Sequence, residues 1–189
     1  MLITLVRHGE VDEKYHKKYY GHLDISLSHK GKRTAQLLAN KLSTKHYDAV
    51  YCSDLKRCRE TLEPFHFDVP VRYSSRLREK SWGRHEGKSF DEIIEMEEFE
   101  YENFEQWLHA LDGERFDSFI RGVKSFFQEF LLEHSYKNIL VMTHAGVIRV
   151  LISIIQNISL EEAFSTPLDY ASYILLDTES WKFSEVQKV

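Results

Sequence analysis

Apolar positions along this chain fall into short unbroken runs, separated by stretches in which they recur every three or four residues. Runs of strand length occupy Leu2 to Val6, Ala49 to Cys52, Val69 to Tyr73 and Ile139 to Met142, with more mixed candidates at Ser172 to Leu176 and Trp181 to Val186. Several are continuous rather than alternating, which marks central strands covered on both faces and hence a mostly parallel sheet. Between the first two runs, Ser28 is placed to cap a helix whose Ala35, Leu38, Ala39 and Leu42 share one face. Ser53 follows the second run and predicts a second capped helix through Leu55, Cys58 and Leu62, ended by Pro64. A further helix over about Asp117 to Glu133 carries Phe119, Val123, Phe126, Phe127 and Phe130 on its apolar side. Strands alternating with helices in this way predict an α/β fold.

The stretch from Ser89 to Leu111 differs in character. Acidic residues crowd Asp91 to Glu105, while Phe90, Ile93, Ile94, Tyr101, Phe104, Leu108 and Leu111 keep helical spacing, so one face should pack and the other meet solvent. No repeat, low-complexity tract or Pro/Gly linker divides the chain. Residues 1–189 therefore read as a single domain, with a helical insertion at about 89–111 near the candidate site.

Composition narrows the function classes. Of 189 residues, 42% are hydrophobic and 29% charged, as in a globular domain, and a net charge of -5 argues against nucleic acid as partner. No stretch reaches the length of a membrane span and the N-terminus lacks a signal-peptide pattern, so a cytoplasmic location without membrane association is expected. Cys52 and Cys58 match no metal-ligand spacing and read as buried free thiols.

The reactive residues gather where predicted strands end or helices begin, the edge at which open α/β sheets build their sites. Arg7-His8-Gly9-Glu10 follows the first run, and Ser53-Asp54-Leu55-Lys56-Arg57 follows the second. A third segment runs from Leu77-Arg78-Glu79-Lys80 through Trp82-Gly83-Arg84-His85-Glu86-Gly87, and a fourth is Thr143-His144-Ala145-Gly146. Together they supply two arginines with planar forks of donors suited to phosphate oxygens, two imidazoles and a carboxylate. Taken singly, each residue has an ordinary reading: Arg57 as a partner of Asp54 or Glu60, Glu79 as a surface carboxylate, His144 as a strand-end polar group.

As an ordered set spread from Leu2 to Arg149, these motifs resemble the histidine phosphatase superfamily, which includes the cofactor-dependent phosphoglycerate mutases. The resemblance implies a phosphoglycerate mutase-like three-layer sandwich with helices on both faces of the sheet. It also implies that His8 is the nucleophile, that Arg7, Arg57 and His144 bind the transferring phosphoryl group, and that Glu79 is the proton donor. His8 would then keep its attacking nitrogen unprotonated by donating from the other ring nitrogen to a backbone carbonyl. His144, if protonated beside the phosphate, adds a third positive contact. A helix starting near Ala145 would turn its N–H groups and positive dipole end towards the same anion. Cationic side chains take the place of a metal in such a reaction, so no metal or cofactor is expected.

The region after Glu79 is short, acidic and without paired arginines, which favours a phosphatase over a mutase. Relatives carry Asn six residues after the nucleophile where this chain has Lys14, leaving Lys14 or Lys18 as a substitute phosphate contact. The stretch Tyr19 to Leu27 resembles the Tyr-Gly-x-x-Asp stretch of α-ribazole phosphatases, and makes α-ribazole 5'-phosphate the named candidate substrate. In it, Tyr20 is a candidate to stack on a substrate ring and Gly21 a candidate contact or a simple turn. His85 echoes the first motif, but a structural role suits it better. The expected partner is a small phosphorylated metabolite, with a homodimer left open. A mutase, a protein phosphatase acting on phosphohistidine or phosphotyrosine, and a non-catalytic phosphate-binding module stay open as alternatives.

Overall fold

The computed structural model describes residues 1–96, 99–132 and 136–189. Six strands among them form one sheet: β1 (Leu2–Arg7), β2 (Ala49–Ser53), β3 (Val71–Ser74), β4 (Asn138–Thr143), β5 (Tyr173–Asp177) and β6 (Lys182–Phe183), in the order β3-β2-β4-β1-β5-β6. Strands β3, β2, β4 and β1 pair in parallel, whereas β5 runs antiparallel to both of its neighbours. The expected mostly parallel sheet is therefore observed.

Strict alternation of side chains across the pleat divides the core in two. Ile3, Leu5, Ile139, Val141, Ile174 and Leu176 face one side, where they meet α5 (Phe116–Leu132) and α6 (Ala145–Gln156). Val6, Val50, Cys52, Leu140 and Met142 face the other, against α1 (His29–Leu42) and α2 (Lys56–Leu62). Burial on both faces is why β1, β2 and β4 read as unbroken apolar runs, and it gives the three-layer α/β sandwich. Cys52 and Cys58 are buried free thiols. No helix among the described residues is long and apolar enough to cross a membrane.

Helix α1 begins as its sequence predicts, with the Ser28 hydroxyl accepting the Gly31 N–H at 2.9 Å. Helix α2 does not. It starts at Lys56, and its first amide is met from a distant loop, where Asp24 Oδ1 accepts the Lys56 N–H at 2.6 Å. Ser53 instead turns its hydroxyl to His144 Nε2 at 2.9 Å. Strand β3 starts at Val71 rather than Val69 because Pro70 has no N–H to give to a ladder. Strand β6 is reduced to two residues, since Trp181 sits in a turn at φ 54°.

The stretch from Ser89 to Leu111 forms two short helices, α3 (Phe90–Met96) and α4 (Phe104–Ala110), and the remaining helix is α7 (Leu160–Ser165). Ile93, Trp107, Leu108 and Leu111 are buried, but Phe90 (43%), Ile94 (38%) and Tyr101 (39%) stay exposed. Two short helices cannot keep a single apolar face in register, so the Trp107 ring becomes the anchor, with Phe90 and Tyr101 resting on it. On α5, Phe119, Val123, Phe126 and Phe127 are buried as expected. Glu133 and the side chain of Phe130 lie outside the described residues.

Gly31 shows how tightly α1 is drawn to the loop after β1. A Cβ there would lie 2.0 Å from the Glu10 carbonyl oxygen. Alanine normally stabilises a helix over glycine by about 1 kcal/mol, yet here Gly31→Ala should destabilise by about 1–3 kcal/mol through overpacking. Thermal unfolding should show a Tm lowered by several degrees; an unchanged or raised Tm contradicts this packing.

Candidate active site

The parallel register of β1 with β4 sets Arg7 against Thr143 and so places the next residues, His8 and His144, side by side. Their ring centroids are 5.1 Å apart, and the His8 N–H donates to the Thr143 carbonyl at 3.1 Å. Immediately beyond, the Gly9 N–H donates to the Thr61 hydroxyl at 2.9 Å, and Thr61 donates to the Arg57 carbonyl at 2.6 Å, which ties the loop to α2. Glu10 holds the same loop to α1 by accepting from the Ser28 hydroxyl at 3.0 Å and from Lys30 at 2.7 Å.

His8 is 2% exposed and its Nδ1 lies 2.8 Å from the Gly9 carbonyl oxygen. A carbonyl only accepts, so Nδ1 carries the proton and Nε2 keeps its lone pair. Burial, then the nearby Arg57 and Arg7, push the His8 pKa well below its ordinary value. The ring is neutral, as a nitrogen nucleophile must be.

Arg57 is fully buried, and its guanidinium is held by main-chain carbonyls: Nη1 donates to Leu23 at 2.9 Å and Nη2 to Gly21 at 2.7 Å. Its Nε donates to His144 Nδ1 at 3.3 Å. With Nδ1 accepting, His144 carries its proton on Nε2 and donates to Ser53. Burial, then Arg57, His8 and Arg7, push its pKa well down. As the structure stands His144 is thus a neutral anchor of Arg57, not a third cation; the buried Arg57 and the nearby Arg7 disfavour a further positive charge.

The loop that carries those carbonyls is fixed by Glu86. Its Oε1 accepts the His22 N–H at 2.7 Å and the Trp82 N–H at 3.1 Å, and Oε2 accepts the Leu23 N–H at 2.7 Å. One carboxylate therefore binds the Gly21–Leu23 loop to the Trp82–Gly87 turn. Gly21 is required at the crossing, since a Cβ there would lie 1.8 Å from the Lys80 carbonyl oxygen.

Glu79 sits on the N-terminus of α6. Its Oε2 accepts the Gly146 N–H at 2.9 Å, and a Cβ at Gly146 would collide with Oε1 at 2.0 Å. At least one α6 amide expected to face phosphate is therefore given to Glu79. Arg7 is held with Nη1 donating to the Leu168 carbonyl and the guanidinium 4.1 Å from the Tyr170 ring centroid.

Arg7, His8, Arg57, Glu79, Tyr20, Lys18, Ala145 and Gly146 all line one cavity of ≈ 200 Å³. His144 lies behind it. Gly21 contributes its carbonyl to Arg57 rather than a surface to the cavity. Lys14 points elsewhere: it is exposed, in a short turn over Glu13–Tyr15, with its ammonium over the Tyr15 ring. Lys18 reaches the cavity but is paired with Glu92 at 3.5 Å. Tyr20 packs on Arg57, 5.3 Å from its ring centroid, and bonds Tyr170 across 2.6 Å, so its ring is committed to the protein.

Other lining residues escaped the sequence reading. Tyr19, Lys80, Trp82, Phe116, Phe119, Arg149 and Phe164 complete the wall. Lys80 is 1% exposed; its ammonium donates to the Ser81 and Asp112 carbonyls and lies over the Trp82 ring, while burial brings its pKa down to about 8. No described residue of 89–111 lines the cavity. That segment braces its wall instead, through Trp107 Nε1 donating to the Tyr19 hydroxyl at 2.9 Å. His85 is buried and accepts the Asp112 N–H on Nδ1 at 3.0 Å, a structural place. Among the described residues no cluster of three or more His, Cys, Asp or Glu is arranged to hold a metal ion.

Residues 3–188 match the histidine phosphatase superfamily (branch 1). The chain belongs to that family. Phosphoserine phosphatase 1 of Hydrogenobacter thermophilus is 32% identical over 94% of this chain and 86% of its own length. The adenosylcobalamin/alpha-ribazole phosphatase of Escherichia coli is 29% identical over 94% of this chain and 90% of its own. Among solved structures, the alpha-ribazole phosphatase of Shigella flexneri superposes with a TM-score of 0.83 at 26% identity, covering 100% of this chain and 96% of that one. The protein is a phosphatase.

The two neutral histidines make stability pH-dependent in a definite direction. Each takes up a proton on unfolding below its ordinary pKa of about 6.5, so the unfolded state binds more protons there. Stability is full above that pH and falls as the pH drops, by about 1.4 kcal/mol per unit for each histidine, until the lowered folded pKa is passed. Chemical denaturation between pH 7.5 and 5 should show a shallower acid loss for His144→Asn than for wild type. Equal slopes would contradict a neutral His144.

Proposed function

We propose that the enzyme hydrolyses a small phosphomonoester through a phosphohistidine on His8. The observation that carries this reading is the neutral His8 ring, its Nδ1 proton committed to Gly9, facing a cavity that also holds Arg7, Arg57 and Glu79. The phosphoryl group lies between the two guanidiniums. His8 Nε2 forms a bond to phosphorus as the ester P–O bond breaks, and Glu79 gives its proton to the leaving oxygen. Water then attacks phosphorus, Glu79 takes up its proton, the P–N bond breaks, and inorganic phosphate leaves. His144 serves this sequence by holding Arg57. The whole of residues 1–189 is read as one catalytic domain, with 89–111 as a brace of its wall.

The named substrate with most support is α-ribazole 5'-phosphate, on the strength of the E. coli and S. flexneri relatives and of the Tyr19 to Leu27 stretch. Phosphoserine is the second reading. It is favoured by Arg149 and Lys18 in the cavity wall, cations suited to a carboxylate on the leaving group, and by the H. thermophilus relative.

His8→Ala should lower the hydrolysis of p-nitrophenyl phosphate by at least about 10³-fold, as loss of a covalent nucleophile does. Retained turnover in that variant overturns the mechanism. Comparing kcat/KM for α-ribazole 5'-phosphate and phosphoserine then decides the substrate. The first reading expects the nucleotide to be favoured by tenfold or more, and the reverse order supports the second.

A further inference from the structure

Tyr170 belongs to none of the motifs, yet it is built into the phosphoryl site from three sides. The chain before β5 bends through Ala171, which adopts φ 56° without being glycine. That bend lets the Ala171 N–H donate to the His8 carbonyl at 3.0 Å, while the Arg7 N–H donates to the Ser172 carbonyl at 2.9 Å. Tyr170 is thereby laid directly against Arg7 and His8. Its ring packs against the Arg7 guanidinium, 4.1 Å from the centroid, and stacks with the His16 ring at 6.0 Å. Its centroid is 5.8 Å from that of His8.

The hydroxyl completes the arrangement. Tyr170 and Tyr20 oxygens are 2.6 Å apart, so one of their two O–H protons is spent between them and one is left. Tyr20 lines the cavity shared with His8 and Arg57, and Tyr170 does not. When Tyr170 donates, the remaining proton is on Tyr20, the member of the pair that lines the cavity. Burial raises the Tyr20 pKa well above the usual phenol range, which keeps that proton in place at neutral pH. Arg7 has few other restraints: Nη1 meets the Leu168 carbonyl, but its buried Nε has no hydrogen-bond partner. Stacking on Tyr170, together with the Leu168 carbonyl, orients the fork.

We propose that Tyr170 is a positioning residue of the phosphoryl site: its ring seats the Arg7 guanidinium, and its hydroxyl commits the free O–H of Tyr20 to the phosphoryl oxygens beside His8. This rests on the reading of the cavity as a phosphoryl site, but it is tested on binding alone, without turnover.

The experiment measures the affinity of inorganic phosphate by calorimetry for wild type, Tyr20→Phe, Tyr170→Phe, the double Phe variant and Tyr170→Leu. A hydrogen bond of ordinary strength predicts an affinity loss of about 3–10-fold for each single Phe variant. The double variant should be no weaker than Tyr20→Phe alone, because the Tyr170 hydroxyl acts on phosphate only through that of Tyr20. Tyr170→Leu should lose a further few-fold, and in an Arg7→Ala background the difference between Leu and Phe at position 170 should vanish. Phosphate affinity unchanged in Tyr170→Phe, which keeps the ring and its packing, overturns the proposal, as do single effects that multiply in the double variant. Tyrosine-dependent phosphate binding in a protein without His8-dependent hydrolysis would uphold this inference and sink the hydrolytic reading alone.

Discussion

The site depends first on one register: β1 beside β4, in parallel, with Arg7 opposite Thr143. Because the two strands end together, the two residues that leave them, His8 and His144, are neighbours by construction. A slip of one residue would send every side chain of β1 to the opposite face. The register is secured by burial on both sides, with Ile3 and Leu5 in one core and Val6 in the other. Hydrophobic packing of a central strand thus fixes the position of a polar pair, and the loops need only bring the remaining groups to it.

Those loops carry the electrostatics. A fully buried guanidinium is costly unless its donors are met, and Arg57 meets them with carbonyls of the Gly21–Leu23 loop and with His144 rather than with a carboxylate. The charge is satisfied in its hydrogen bonds but not neutralised, a condition that favours an arriving anion. Glu86 acts at one remove, by fixing the loop that offers the carbonyls. Lys80, Trp82 and the Asp112 turn close the same wall. At Gly21 the wall meets main chain so closely that a Cβ would lie 1.8 Å from the Lys80 carbonyl oxygen, and at Gly146 it meets the Glu79 carboxylate.

Much of this was legible in the sequence because it is local. Strands buried on both faces leave unbroken apolar runs, and the Ser28 cap lies three residues from the amide it meets. The candidate site residues follow the same logic in part: Arg7, His8 and His144 lie at the ends of β1 and β4 and Arg57 in the first turn of α2, whereas Glu79 lies in the loop beyond β3. What escaped is non-local. Asp24 caps α2 from a loop 32 residues away, so Ser53 looked like the cap and is instead the partner of His144. Lys14 is close to His8 in the chain, but the turn at Glu13–Tyr15 carries it to the surface. Phe116, Phe119 and Arg149 read as helix residues like any others, and only the packing of α5 and α6 reveals that they border the cavity. Tyr170 had no signal at all, since its place depends on a left-handed residue, Ala171, of a type that rarely adopts that conformation.

The central claim is that His8 carries the phosphoryl group during turnover. Its most direct test is mass spectrometry of the enzyme quenched in alkali during steady-state hydrolysis, with peptides mapped at neutral pH or above to preserve phosphohistidine. The account predicts a single acid-labile phosphoryl group on the peptide containing His8, absent without substrate. A phosphoryl group found on another residue, or none on His8 in enzyme trapped under conditions where the phosphoenzyme accumulates, would contradict it.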